Sequence, residues 1–192
     1  MCSMRRILVF NRVTPEGYFT GADSNYQEMV VMDEELDKDM MSDSSSVTYL
    51  FGRKTYDLMA AYWPRASDDP NLSSAMQKMA KTLNDDTKIV FSKTLKNPTW
   101  KNTQIIPDLD PNEIRKMKQE KGNDMLVLGS GSIVSQLTQH GLVDEYMLVV
   151  SPRLIGKGRP LFDGVTSKTS LELREAKGYP SGNVLLRYAV HD

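Results

Sequence analysis

One cysteine, Cys2, occurs among the 192 residues, so no disulfide can close within the chain and no cysteine-rich zinc site can be built. The two histidines, His140 and His191, lie far apart and offer no metal-ligand spacing. The His/Cys/Cys zinc site of nucleobase deaminases is excluded with them. Excess charge is missing too: 24 Lys and Arg stand against 25 Asp and Glu, spread without a basic tail, and nothing directs the chain to nucleic acid. Apolar runs are short, far below the roughly 20 residues that span a bilayer, so no membrane segment is expected. Arg5 and Arg6 are followed only by residues 7–10 before Asn11, too few for a secretory leader. A reducing, cytoplasmic compartment and one domain over residues 1–192 are the expectation.

What is present is an alternation. Residues 7–10, 47–51, 89–91, 125–128 and 146–150 are continuous apolar runs of the kind that suits strands covered on both faces of a parallel sheet. Between them lie helical stretches. Leu72, Ala75, Met76, Met79, Ala80 and Leu83 form one apolar face, with a start expected at Pro70-Asn71 and a stop at Asn84. Ile114 and Met117 mark a helix opening at Asp110-Pro111, and Ile133, Val134 and Leu137 mark another that Gly141 ends. Near the C-terminus Leu171 and Leu173 alternate with Glu172 and Arg174, and residues 184–190 follow the turn Tyr179-Pro180-Ser181-Gly182. That pattern predicts an antiparallel hairpin closing the sheet. The fold class is α/β: a three-layer sandwich with one mixed, mostly parallel sheet and helices on both faces.

Ligands of such sheets bind beyond the carboxyl ends of the strands. Three ends share a character. Gly52-Arg53-Lys54-Thr55 follows one run, Ser92-Lys93-Thr94 a second, and Gly129-Ser130-Gly131-Ser132 a third that opens straight into a helix. Glycines let main-chain N–H groups approach an anion, a helix start adds partial positive charge, and the cations hold further phosphates. Together the loops predict a ligand with several phosphates, such as a dinucleotide. Each loop alone also reads as a turn or a solvated helix start, and the third glycine of the Rossmann fingerprint is missing after Gly131.

The order 7–10, Gly17-Tyr18-Phe19-Thr20-Gly21 and Phe51-Gly52-Arg53-Lys54-Thr55-Tyr56 resembles the dihydrofolate reductase-like superfamily. Leu128-Gly129-Ser130-Gly131-Ser132, Leu142-Val143-Asp144-Glu145-Tyr146 and the stretch from Pro152 to Phe162, with Gly156-Lys157-Gly158-Arg159-Pro160-Leu161-Phe162, resemble the C-terminal reductase domain of the bifunctional riboflavin-biosynthesis deaminase/reductase. The resemblance covers nearly the whole chain. It implies an eight-stranded mixed sheet, NADPH as hydride donor, a small heterocyclic substrate and a homodimer. By it, Gly52, Arg53, Lys54 and Thr55 hold phosphates near the adenosine half, and Ser92 and Lys93 flank the adenine and 2′-phosphate. Gly129, Ser130, Gly131, Ser132 and Ile133 wrap the pyrophosphate, and Val13 approaches the nicotinamide.

The chain departs from both relatives. Riboflavin-type reductases carry Asp-Gly after the first strand, where this sequence has Pro15-Glu16-Gly17; the Pro-Trp of dihydrofolate reductases is missing; and no His-x-Glu or Pro-Cys-x-x-Cys pattern of a deaminase occurs. The substrate therefore stays open, and a dinucleotide-binding module without turnover remains the alternative. Glu16 is the first candidate to orient substrate or relay a proton, or else a turn residue. Asp33 is the second, or else the N-cap of a helix with Glu34 and Glu35 in its first turn. Tyr18, Phe19, Tyr26, Tyr62 and Trp63 line a pocket for a flat ring or join the core.

Overall fold

The computed structural model describes residues 4–42 and 45–191, which leaves Cys2 and part of the polar stretch 42–46 outside the described residues. In chain order the strands are β1 (Ile7–Val13), β2 (Tyr18–Gly21), β3 (Thr48–Gly52), β4 (Thr87–Phe91), β5 (Thr103–Ile106), β6 (Met125–Leu128) and β7 (Glu145–Val150), of which β1, β3, β4, β6 and β7 hold the apolar runs. They are followed by β8 (Gly158–Pro160), β9 (Ser170–Gly178) and β10 (Val184–His191). The main sheet has eight strands in the order β5-β4-β3-β6-β1-β7-β10-β9. From β5 to β7 every pair is parallel, and β10 runs antiparallel to both β7 and β9. The C-terminal hairpin thus closes a mostly parallel sheet, as the alternation at 171–174 predicts.

Among the described residues there are also five α-helices, α1 (Glu34–Ser42), α2 (Arg53–Ala66), α3 (Ser74–Asp85), α4 (Pro111–Gln119) and α5 (Gly131–Gln139), and a short 3-10 helix, Gln27–Met29. Successive strand residues face opposite sides, and the core divides accordingly. Ile7, Val9, Leu50 and Val127 pack with Ile114 of α4 and Ile133, Val134 and Leu137 of α5. Phe51 and Val90 pack with Tyr56 of α2 and Leu83 of α3, while Val149 and Leu185 receive Leu36 of α1. These are the two outer layers of a three-layer sandwich. Each fully buried Leu, Ile or Phe contributes about 1.5–3 kcal/mol.

The differences from the sequence pattern are local. The apolar run of β1 ends at Phe10, and the strand continues to Val13, where the resemblance places its end, because Asn11 and Arg12 remain in register with β7. Helix α3 begins at Ser74, since the Ser73 hydroxyl accepts from the Met76 N–H at 3.2 Å and caps the helix there. Leu72 therefore lies outside the helix. Helix α4 opens at Pro111 behind an Asp110 cap, and α5 starts at Gly131, directly after the central strand β6.

Beyond the carboxyl ends of β1 and β7 stands a two-stranded antiparallel ribbon of β2 and β8. It joins the two motifs 17–21 and 156–162. Gly158 is required here by close approach: a Cβ would lie 2.7 Å from the Thr20 carbonyl oxygen and 2.8 Å from the Tyr18 Cβ.

Candidate functional site

The parallel order places the loops after β4, β3, β6 and β1 side by side on one edge of the sheet. Four strand ends at about 4.8 Å spacing extend over roughly 14 Å, a footprint for an elongated ligand. At the middle of this row, β3 and β6 each run into a helix, α2 and α5, and the two helix starts are laced together. The Gly52 N–H donates to the Ser130 hydroxyl at 3.0 Å, and the Ser130 N–H donates to the Thr55 hydroxyl at 3.2 Å. Asn11 of β1 donates its side-chain N–H to the Gly129 carbonyl at 3.0 Å, which ties in the third strand end.

The turn that achieves this is strained. Gly129 has φ +68° and Ser130 has φ +52°, two successive left-handed residues, one of them not glycine. A non-glycine residue there costs on the order of 1–2 kcal/mol, and the bonds to Gly52 and Thr55 hold it in place. The first-turn N–H groups of these two helices have neither a side-chain cap nor an acid in the first turn. By contrast α1 is capped by Asp33, α3 by Ser73 and α4 by Asp110. Uncapped helix starts side by side form a ready place for anionic groups.

The structure brings Gly52, Thr55, Gly129, Ser130, Gly131 and Ser132 together, with Ile133 behind them, buried against the core. The Ile133 N–H is taken by the Ser130 carbonyl. Phe19 from the ribbon lies against Gly131, where a Cβ would be 2.4 Å from its ring. Arg53, at 40% side-chain exposure, pairs with Asp57 at 2.6 Å, and Lys93, at 69%, pairs with Asp108 at 2.9 Å. Lys54 is exposed. The Ser92 hydroxyl accepts from the Thr94 and Leu95 N–H groups and so shapes its own loop. Val13 is buried in the core, and its carbonyl accepts from the Ser151 N–H at 2.8 Å.

The two candidate acids are both engaged by main chain. The Glu16 carboxylate accepts from the Ile155 and Gly156 N–H groups, each at 2.9 Å, and clamps the turn after β1 to the loop after β7. Asp33 accepts from the Glu35 and Leu36 N–H groups as N-cap of α1, and from the Ser181 N–H in the β9–β10 turn. Hydrogen bonds from Ser181 and Leu36 hold its carboxyl below the usual range. Of the aromatic residues, Trp63 joins the core beside α2, while Tyr26 and Tyr62 are exposed.

Sequence reasoning missed a charged pair beneath the end of β1. Arg12 lies within 3.4 Å of Asp37 on α1. Burial pulls the guanidinium below its usual value, opposed by Asp37, and pushes the Asp37 carboxyl up, opposed by Arg12. The available signal was a charge just beyond the apolar run 7–10, inside a strand that the resemblance carries to Val13. Two surface clefts lie away from this edge. One, of about 530 Å³, is lined by Lys78, Lys81, Asp85 and Lys101 at the amino ends of the strands, and the other, of about 190 Å³, by Tyr146, Phe162 and Leu171 beside β9. Among the described residues no group of three or more His, Cys, Asp or Glu is placed to hold a metal ion, and no helix is long and apolar enough to cross a membrane.

Comparison with known proteins bears on this edge. The model of the RibD C-terminal domain matches residues 6–185. The uncharacterized protein YyaP of Bacillus subtilis (strain 168) is 29% identical over 185 residues, which is 96% of this chain and 94% of that protein. A diaminohydroxyphosphoribosylaminopyrimidine deaminase/5-amino-6-(5-phosphoribosylamino)uracil reductase from Thermotoga maritima superposes with TM-score 0.66 at 13% identity, over 98% of this chain and 57% of that one. Dihydrofolate reductase from Enterococcus faecalis, complexed with NADP(H) and RAB-propyl, superposes with TM-score 0.63 at 11% identity, over 97% of each chain. At these identities the two structures share the fold.

Proposed function

This chain belongs to the RibD C-terminal domain family, and on that premise we propose that it is an NADPH-dependent reductase of a small heterocyclic substrate. The observation that carries this reading is the pair of uncapped helix starts at β3 and β6, laced through Gly52, Ser130 and Thr55. When bound, the nicotinamide supplies a hydride. The main-chain N–H groups at Gly131 and Ser132 receive the pyrophosphate at the start of α5. Arg53, Lys54 and Thr55 receive phosphate near the adenosine half, with Ser92 and Lys93 one strand further out. The ion pairs of Arg53 and Lys93 are exposed, and such pairs contribute only about 0–1 kcal/mol, so exchanging Asp57 or Asp108 for a 2′-phosphate costs little. Val13 closes the nicotinamide end as a packed wall, and Glu16 holds the neighbouring loop in position.

The relatives named for their reactions act on a ribosylaminouracil and on dihydrofolate, which supports a planar, nitrogen-rich ring as substrate here. The test is NADPH oxidation, followed by loss of nicotinamide absorbance, against a panel of aminopyrimidinones and pterins. Turnover of at least one such ring is expected. Tight NADPH binding with no turnover across the panel would mark a binding module, and no dinucleotide binding at all would overturn the assignment.

The proposal extends to residues 1–192 as one cytoplasmic reductase domain acting as a homodimer. Support for the dimer is the free edge of the sheet, where β9 leaves Leu171 44% and Leu173 53% exposed. Sedimentation velocity should give a dimer for the wild type and a monomer for Leu173→Lys; a wild-type monomer at every concentration would refute it.

A further inference from the structure

Residues 156–162 do more than pack the ribbon: they carry a cation with nothing to bind. Arg159 on β8 is exposed, and its guanidinium lies over the Phe19 ring, 5.4 Å from the centroid. Apart from that contact, no described residue gives the guanidinium a hydrogen bond or an ion pair. Phe19 is the extra residue of a β-bulge: Tyr18 pairs with Pro160 and Thr20 with Arg159, which leaves Phe19 without a partner on β8. A bulge re-aims the side chain it carries, and bulges gather beside active sites. Here the tip of the ring is turned onto Gly131, where a Cβ would come within 2.4 Å of it. The ring thus touches the start of α5 with its edge and carries the guanidinium on its face. Such a contact orients a guanidinium while leaving its five N–H donors unspent.

We propose that Arg159, aimed by Phe19, binds the pyrophosphate of the dinucleotide from the ribbon side, its fork on oxygens that the Gly131 and Ser132 N–H groups leave open. This rests on the reductase reading above, which puts the pyrophosphate at the start of α5, and it adds the ribbon to the parts that hold that group. Charge selects an anion at this point. The first turn of α5 contains no acid, and the Glu16 carboxylate, at the foot of the ribbon, is spent on the Ile155 and Gly156 N–H groups. A helix start donates from one direction, so some oxygens of a diphosphate face away from it. A planar fork of N–H donors matches two of those oxygens at once. Position selects which anion. The same reading gives the 2′-phosphate to Arg53 and Lys93, after β3 and β4, whereas the ribbon stands beyond β1 and β7. The reduced nicotinamide ring carries no charge for a guanidinium to meet. The diphosphate, which joins the two ends, is the anionic group left for Arg159.

Calorimetric titration of the full chain with three probes separates the groups of the cofactor. NADPH has all of them, 2′-phospho-ADP-ribose keeps the pyrophosphate without the nicotinamide, and 2′-AMP keeps only the adenosine and its 2′-phosphate. Arg159→Gln should weaken NADPH and 2′-phospho-ADP-ribose alike, by roughly ten- to a hundredfold, the scale of one hydrogen bond to a charged group. It should leave 2′-AMP and the thermal midpoint unchanged, because the side chain is exposed and unpaired. Arg159→Lys, with the charge but without the fork, should restore only part of the affinity. Phe19→Leu keeps an apolar contact on Gly131 but offers no ring face. It should weaken the same two probes in the wild-type background and add nothing in Arg159→Gln, since the ring acts through the guanidinium. Unchanged affinity for 2′-phospho-ADP-ribose in Arg159→Gln would overturn the proposal, and a loss confined to NADPH would move Arg159 to the nicotinamide end. Equal loss of all three probes, 2′-AMP included, would reduce Arg159 to a general attraction for anions and overturn it as well. Failure of the wild type to bind NADPH would instead refute the reductase reading itself, and this proposal with it.

Discussion

Glu16 shows how one side chain separates two roles that a sequence cannot. Its carboxylate receives N–H groups from Ile155 and Gly156 across a sequence separation of about 140 residues, and the ribbon of β2 and β8 stands on the same two loops. As a clamp, it acts through the loop. Glu16→Ala should cost about 1–2 kcal/mol of stability and speed hydrogen exchange at the Ile155 and Gly156 amides. Turnover and NADPH affinity should fall together, and Glu16→Gln, which keeps one acceptor oxygen, should be milder in all of these. A proton relay behaves otherwise: Gln and Ala would lose about 10²-fold or more in turnover alike, with amide exchange and NADPH binding untouched. Asp33 is simpler, because its bonds to Glu35, Leu36 and Ser181 describe a helix cap that also fastens the C-terminal hairpin.

At the scale of elements, legibility followed burial. Residues 125–128 are apolar without interruption because β6 lies between β3 and β1 in the middle of the sheet, and the strand-to-helix step at Gly129–Ser132 was readable for the same reason. β5 was not readable: Thr103–Ile106 is a short edge strand with no fully buried residue. β2 and β8 escaped because their pairing joins distant segments, and because Tyr18–Gly21 and Gly158–Pro160 are too short, and too rich in glycine and polar residues, to read as apolar runs. The apolar run of β1 stops at Phe10 while the strand goes on through Asn11 and Arg12 to Val13, and Arg12 went unread in that polar stretch. Asp57 stands four residues after Arg53, so that pair was available from helical spacing. Asp108 beside Lys93 depends on β4 and β5 pairing, which no local pattern reveals.

At the scale of the whole molecule, the strand order converts separate loops into one elongated site. Cations lie after β4 and β3, uncapped helix starts after β3 and β6, and Asn11 and Arg12 at the end of β1. On the function proposed above, that order would lay out a dinucleotide with its phosphorylated adenosine toward β4 and its nicotinamide toward β1. NADPH and NADH differ only in the 2′-phosphate, and a site for the free ribose usually offers a carboxylate instead. Calorimetric titration of both cofactors into the wild type, Arg53→Ala and Lys93→Ala tests this layout. NADPH should bind the wild type at least about tenfold more tightly than NADH. Each substitution should weaken NADPH by roughly ten- to a hundredfold while leaving NADH nearly unchanged, and the gap should narrow as salt is raised. Equal affinity of the wild type for NADPH and NADH would contradict the layout at its adenosine end.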